Sequence, residues 1–174
     1  MSMLKMILNR MRRKDNVQIA RELGVRIGEN CRILTNPYAC FGSEPYLIEI
    51  GNHVEVTGDC RFVTHDGGLW VLREAEDCKD IDKFGKIKIG NNVFIGLRST
   101  IMPGVTVGDN CVIGAGSLLT KSVPSGEVWA GVPAKRICSI EEYKEKVLAV
   151  ADRTKGLSPL EKERAIREIH PEWF

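Results

Sequence analysis

The sequence predicts an all-β solenoid, a triangular prism of short parallel strands wound from hexapeptide repeats, and three observations carry that prediction. Ile89, Ile95, Ile101, Val107, Ile113 and Leu119 stand six residues apart. That period suits neither a helix, which repeats about every 3.6 residues, nor a pleated strand, which repeats about every 2. Glycine follows four of these aliphatics, at Gly90, Gly96, Gly108 and Gly114, where a corner of the prism is crowded. A second inward position falls four residues after each aliphatic and holds Val93, Ser99, Val105, Cys111, Ser117 and Val123, small or β-branched as a narrow interior requires.

Residues 1–24 are read as an N-terminal helical cap, since a solenoid needs its open end covered. The apolar run MSMLKMIL is broken by Lys5, followed by Asn9 and a basic cluster, and lacks both a small-residue cleavage site and the length of a membrane span. The β-helix is assigned to residues 25–138. Its phase begins at Ile27-Gly28, Cys31 and Ile33 and resumes at Ile50-Gly51, Val54, Val56, Cys60 and Phe62. Neither Ile33 to Ile50 nor Phe62 to Ile89 is a multiple of six, so insertions interrupt the coils. The larger, residues 67–86, is expected to loop out from one face, often the binding face of a solenoid. After Leu119 the repeat decays through Val123-Pro124 and Gly126, which are expected to end the coil. Residues 139–174 form a helical tail: Ser139 and Glu142 make a capping box with Tyr143, Val147 and Val150 on one face, and Ser158-Pro159 opens a second helix.

With 174 residues, 43% hydrophobic and 28% charged, the chain has the composition of one soluble globular domain, and a net charge of +2 gives no argument for nucleic acid. The six cysteines contain no CxxC pair. Cys31, Cys60 and Cys111 fall at small inward positions, while Cys40, Cys78 and Cys138 lie outside the pattern and are expected at the surface. Reduced thiols in a cytoplasmic protein fit this distribution.

The repeats, the run Gly114-Ala115-Gly116-Ser117 with Thr120-Lys121, and the closing Gly131-Val132-Pro133-Ala134-Lys135 resemble the hexapeptide-repeat acyltransferases over roughly residues 25–138. Phe41-Gly-Ser-Glu-Pro45 and Thr64-His65-Asp66-Gly67-Gly68 look most like members that O-acetylate cell-surface polysaccharides. The resemblance implies a left-handed parallel β-helix, acetyl-CoA as acyl donor, no metal, and a homotrimer with sites in the clefts between subunits. It also implies donor contacts at Ala115, Thr120, Lys121, Lys135 and Arg136, and an oxyanion donor near Gly96 and Leu97. Some relatives carry a second basic residue where this chain has Cys138, so Arg136 is expected to substitute.

Transfer from a thioester to an alcohol needs a base for the hydroxyl proton, and imidazole suits that role near neutral pH. Of the three histidines, His170 lies in a polar tail and His53 at a coil corner, whereas His65 stands where the repeat breaks, beside Gly67 and Gly68. His65 is therefore the expected general base, acting by direct transfer without an acyl-enzyme. For the acceptor the candidates are Asn36, at the spacing where galactoside-type relatives place a substrate asparagine, then Glu44, Asp66 and Trp70, with Arg73 in the insertion and Phe94 where relatives often have Trp. N-acetylation of an amino sugar, a xenobiotic acetyltransferase and a non-catalytic scaffold are alternatives, while a zinc hydratase finds no suitable histidine set.

Overall fold

In the computed structural model, which describes residues 15–174, the repeats form three parallel sheets that the chain visits in turn. The first holds β1 (Arg26–Ile27), β3 (Ile48–Ile50), β6 (Ile87–Ile89) and β9 (Thr106–Val107). The second holds β2 (Arg32–Ile33), β4 (Val54–Val56), β7 (Val93–Ile95), β10 (Cys111–Ile113), β12 (Glu127–Gly131) and β13 (Ala134–Ser139). The third consists of β5 (Arg61–Phe62), β8 (Thr100–Ile101) and β11 (Leu118–Leu119). Like residues stack on like: Val54 pairs with Val93 and then Cys111, Phe62 with Ile101 and then Leu119. From Ile89 to Val123, both predicted inward series are buried to 3% exposure or less.

The corner glycines are fixed by the next coil. A Cβ on Gly96 would come within 2.5 Å of the Ala115 nitrogen, and one on Gly51 within 2.6 Å of the Gly90 carbonyl oxygen. Along the edge between first and second sheets, Asn30, His53, Asn92 and Asn110 adopt left-handed φ near +55°, a conformation asparagine tolerates well. Their side chains ladder up the edge, His53 Nδ1 to Asn92 Oδ1 at 2.8 Å and Asn92 Nδ2 donating to Asn110 Oδ1 at 2.7 Å. His53 thus has a structural position.

Three expectations are corrected. Pro124 and Gly126 do not end the coil: β12 continues the second sheet parallel to β10, with Trp129 packed on the core, and turns back through Val132-Pro133 into antiparallel β13. Two of the three cysteines expected at the surface are inside, Cys40 at 0% and Cys138 at 6% exposure, because α2 (Pro37–Cys40) and β13 both turn an apolar side inward. Burial pushes the Cys40 thiol far above the ordinary range. The helix beginning after Ser139 stops at Leu148, so Val150 lies beyond it.

The expected N-terminal cap lies mostly outside the described residues. Its visible part, α1 (Asn16–Leu23), is capped by Asp15, whose carboxylate accepts from the Gln18 N–H, and ends at Gly24 in the left-handed region. Between β5 and β6 the large insertion carries a short α-helix, α3 (Leu69–Leu72), and a 3-10 turn, Glu76–Cys78. Two compact units result, one ending at Glu142 and one spanning Tyr143–Phe174. Both reciprocal capping boxes exist: Ser139 with Glu142 opens α4 (Ile140–Leu148), and Ser158 with Glu161 opens α5 (Pro159–Ile169). In the second unit His170 stacks on Trp173 and bonds Asp152 at 2.9 Å. No described helix is long and apolar enough to cross a membrane.

Replacing Gly96 by Ala should cost about 1–3 kcal/mol, the ordinary penalty for overpacking. Gly67→Ala meets nothing within 4 Å and should stay near zero. Urea denaturation of the two variants checks the difference.

Candidate active site

The repeat is broken twice, and both breaks fall on the same part of the prism. Residues 34–47 occupy the place of the third side in the first coil, with α2 lying against β5. The second insertion leaves one coil later, directly after β5. Its base is pinned by a short antiparallel ladder: Gly85 N–H donates to the Thr64 carbonyl at 2.8 Å and Asp66 N–H to the Lys83 carbonyl at 2.9 Å. Farther out, Arg73 ties the loop to itself through the Ile81 carbonyl and Asp82.

The two breaks bring Glu44 to His65. The Glu44 carboxylate oxygen Oε2 lies 2.8 Å from His65 Nδ1 and accepts from the Thr64 hydroxyl at 2.6 Å. The Thr64 hydrogen bond, then those from His65 and Ser43, hold the Glu44 carboxyl below its ordinary range, against the opposing effect of burial. An ionised carboxylate only accepts, so the proton of a neutral His65 belongs on Nδ1 and the lone pair on Nε2. The His65 side chain is 44% exposed and that of Glu44 15%, so the carboxylate is shielded while the imidazole remains accessible.

His65 borders two cavities. One of about 480 Å³ is lined by Val63, His65, Asp66, Gly67, Lys83, Phe84, Gly85, Met102, Pro103, Gly104 and Thr120, and so runs along one prism edge across three coils. The other, about 260 Å³, lies over the third sheet between Ala39, Gly42 and Ser43 on one side and Arg61, Phe62, Val63, Thr64, His65 and Thr100 on the other.

The sequence-predicted residues divide among several places. His65, Asp66 and Thr120 share the larger cavity, with exposed Lys121 adjoining Thr120; Asp66 also pairs with Lys83 at 3.5 Å. Leu97 and Ala115 stand on a different edge, between second and third sheets, where Gly116 N–H donates to the Leu97 carbonyl. Phe94 is on the outer face of the second sheet, in a separate cavity with Arg32, His53, Glu55 and Asn92. Asn36 caps α2, its Oδ1 accepting from the Tyr38 N–H at 3.1 Å, and Trp70 projects 77% exposed from α3.

Three assignments change on this geometry. Gly96 N–H is unavailable to an oxyanion because it donates to the Ile113 carbonyl at 2.8 Å, which leaves Leu97 as the candidate of the pair. Arg136 is engaged by Glu127 at 3.0 Å, whereas exposed Lys135 has no ion pair among the described residues. Glu44 serves His65 in place of a free acceptor contact. Sequence reasoning missed Thr64 as the third member of this cluster, although its place beside His65 was a signal. Among the described residues no group of three or more His, Cys, Asp or Glu is arranged to hold a metal.

The site is thus an imidazole held through Nδ1 and bordering two cavities, carried on a hexapeptide-repeat prism. Comparison with known proteins gives the family. The model for the hexapeptide repeat of succinyl-transferase matches residues 86–121. Protein CapG of Staphylococcus aureus is 51% identical over 160 residues, 92% of each chain. The galactoside O-acetyltransferase of Escherichia coli strain K12 is 40% identical over 131 residues, covering 74% of this chain and 63% of that one. A crystal structure of a hexapeptide-repeat acetyltransferase from Vibrio cholerae O1 biovar eltor complexed with acetyl coenzyme A is 26% identical, with a TM-score of 0.50 over 67% of this chain and 60% of that one. The chain belongs to the hexapeptide-repeat acyltransferase family.

The lowered Glu44 ionisation links the site to stability. Its contribution is present above the ordinary value of 4.5 and is lost as pH falls through the depressed folded value. Glu44→Gln should therefore be less stable than the native chain at pH 7, with the gap closing in acid. Urea midpoints measured against pH check this, and a gap unchanged into acid would contradict it.

Proposed function

We propose that this chain is an acetyl-CoA-dependent O-acetyltransferase acting on a hydroxyl of a sugar or polysaccharide precursor, with His65 as general base. The observation that carries the proposal is the Glu44-held imidazole standing between two cavities. Family membership supplies the acyl-transfer chemistry, and the galactoside O-acetyltransferase relative supports a sugar hydroxyl as acceptor.

In this reading the donor follows the larger, elongated cavity along the prism edge past Met102 and Thr120 toward Lys121, with Lys135 as a cation for its phosphates. The acceptor enters from the smaller cavity. His65 Nε2 takes the hydroxyl proton as the oxygen attacks the acetyl carbonyl. The tetrahedral intermediate collapses with cleavage of the carbon–sulfur bond, and the proton passes from His65 to the leaving thiolate. Glu44 stabilises the imidazolium formed between those steps, and Thr64 fixes the carboxylate that does so.

The prism is wound left-handed in this reading, and the protein is a homotrimer. Leu97, Ala115 and Phe94 lie away from the His65 edge within one chain, so they join the site from a neighbouring subunit. There Leu97 N–H meets the oxyanion and Phe94 walls the cleft. Residues 139–174 form a helical tail with its own capped helices.

Replacing His65 by Ala should lower kcat for acetyl transfer to a sugar by roughly 10²–10⁴-fold with acetyl-CoA affinity nearly unchanged. Glu44→Gln should lower kcat on the order of a hundredfold through misplacement of the ring. Thiol release from acetyl-CoA over a sugar panel reads both, and full activity in His65→Ala would overturn the assignment.

A further inference from the structure

The smaller cavity contains a cation that the mechanism leaves unused. Arg61 is on the outer face of the third sheet, in register with Thr100 of the next coil, and both line the cavity that ends at His65. The Arg61 guanidinium has no ion pair among the described residues, and no carboxylate lines the cavity. The nearest acidic group in the cluster, Glu44, is taken by Thr64 and His65. The same cavity is lined by apolar Ala39, Phe62 and Val63, with Phe62 buried to 2% exposure. Other arginines along the prism are matched across coils or to a neighbouring acid: Arg26 with Glu49, Arg32 with Glu55, Arg98 with Asp59, and Arg136 with Glu127.

We infer that Arg61 selects an acceptor sugar bearing an anionic group, a carboxylate or a phosphate, and holds it so that a hydroxyl on the same ring reaches His65. This rests on the reading of the smaller cavity as the acceptor side of the transferase. A guanidinium offers paired donors matched to such anions, and Arg61 is exposed on the cavity side of the sheet where an entering anion can reach it. The Thr100 hydroxyl alongside adds a neutral partner for a ring oxygen or hydroxyl. At about 260 Å³ the cavity is smaller than the roughly 300–1,000 Å³ typical for drug-sized ligands, so it suits one sugar ring in preference to a whole nucleotide-linked sugar.

The test is calorimetric titration of three probes, a methyl galacturonoside, galactose 1-phosphate and a neutral methyl galactoside, into the full chain with coenzyme A present. The native protein should bind at least one anionic probe about tenfold or more tighter than the neutral sugar. Arg61→Gln should erase that preference with the melting temperature and coenzyme A affinity retained, and Arg61→Lys should recover part of it. The ranking of carboxylate against phosphate identifies which anion is read. Equal binding of charged and neutral probes, a preference that survives Arg61→Gln, or no binding of either anionic probe would overturn the inference. His65→Ala separates the two readings: anion preference retained with turnover lost supports both, whereas turnover retained removes His65 as base and leaves the Arg61 result to stand alone.

Discussion

The constraint on which the rest of the structure depends is the close stacking of one coil on the next at the glycine corners. With a Cβ at Gly51 or Gly96 already inside contact distance of the neighbouring backbone, successive coils have no freedom to slip. Each strand must then pair with its counterpart in fixed register, and each break in the repeat must leave the prism at a defined edge. Both breaks interrupt the same side, which is why Glu44 of the first and His65 of the second meet although 21 residues separate them. The site is a consequence of solenoid geometry more than of any local motif.

That geometry also divides the chemistry. Glu44 is bound from two sides and sheltered, so its charge is fixed at Nδ1 of His65 while the imidazole borders the two cavities. The antiparallel ladder at the foot of the insertion holds residues 64–66 against 83–85, so the imidazole is carried on paired backbone. Such preorganisation suits a base that must accept a proton and return it within one turnover without reorganising its surroundings. The corner asparagine ladder does comparable work on another edge, where His53 is held in a structural role.

The fold was largely legible in the sequence because its signal is repeated: six aliphatics in phase and six small residues in phase leave little choice of interior. What the period could not reveal was contact between residues outside it. Glu44 was read as an acceptor contact, and only the stacking of the two breaks turns it toward His65. Cys40 and Cys138 were misplaced for the same reason, since their burial comes from segments the repeat does not describe. Pro124 and Gly126 were read as terminators by local propensity, whereas pairing with β10 carries the chain through them into β12. Gly96 was expected near an oxyanion donor, but its N–H is taken by the Ile113 carbonyl of the next coil.

The most direct test of the central claim is a crystal structure of the chain with coenzyme A and an acceptor sugar bound together. The account predicts the coenzyme's thiol in the cavity lined by Met102 and Thr120, the sugar over Arg61 and Thr100, and a sugar hydroxyl within hydrogen-bonding distance of His65 Nε2 while Nδ1 stays on Glu44. Both ligands on one side of His65, or a complex in which His65 Nε2 faces neither, would contradict it.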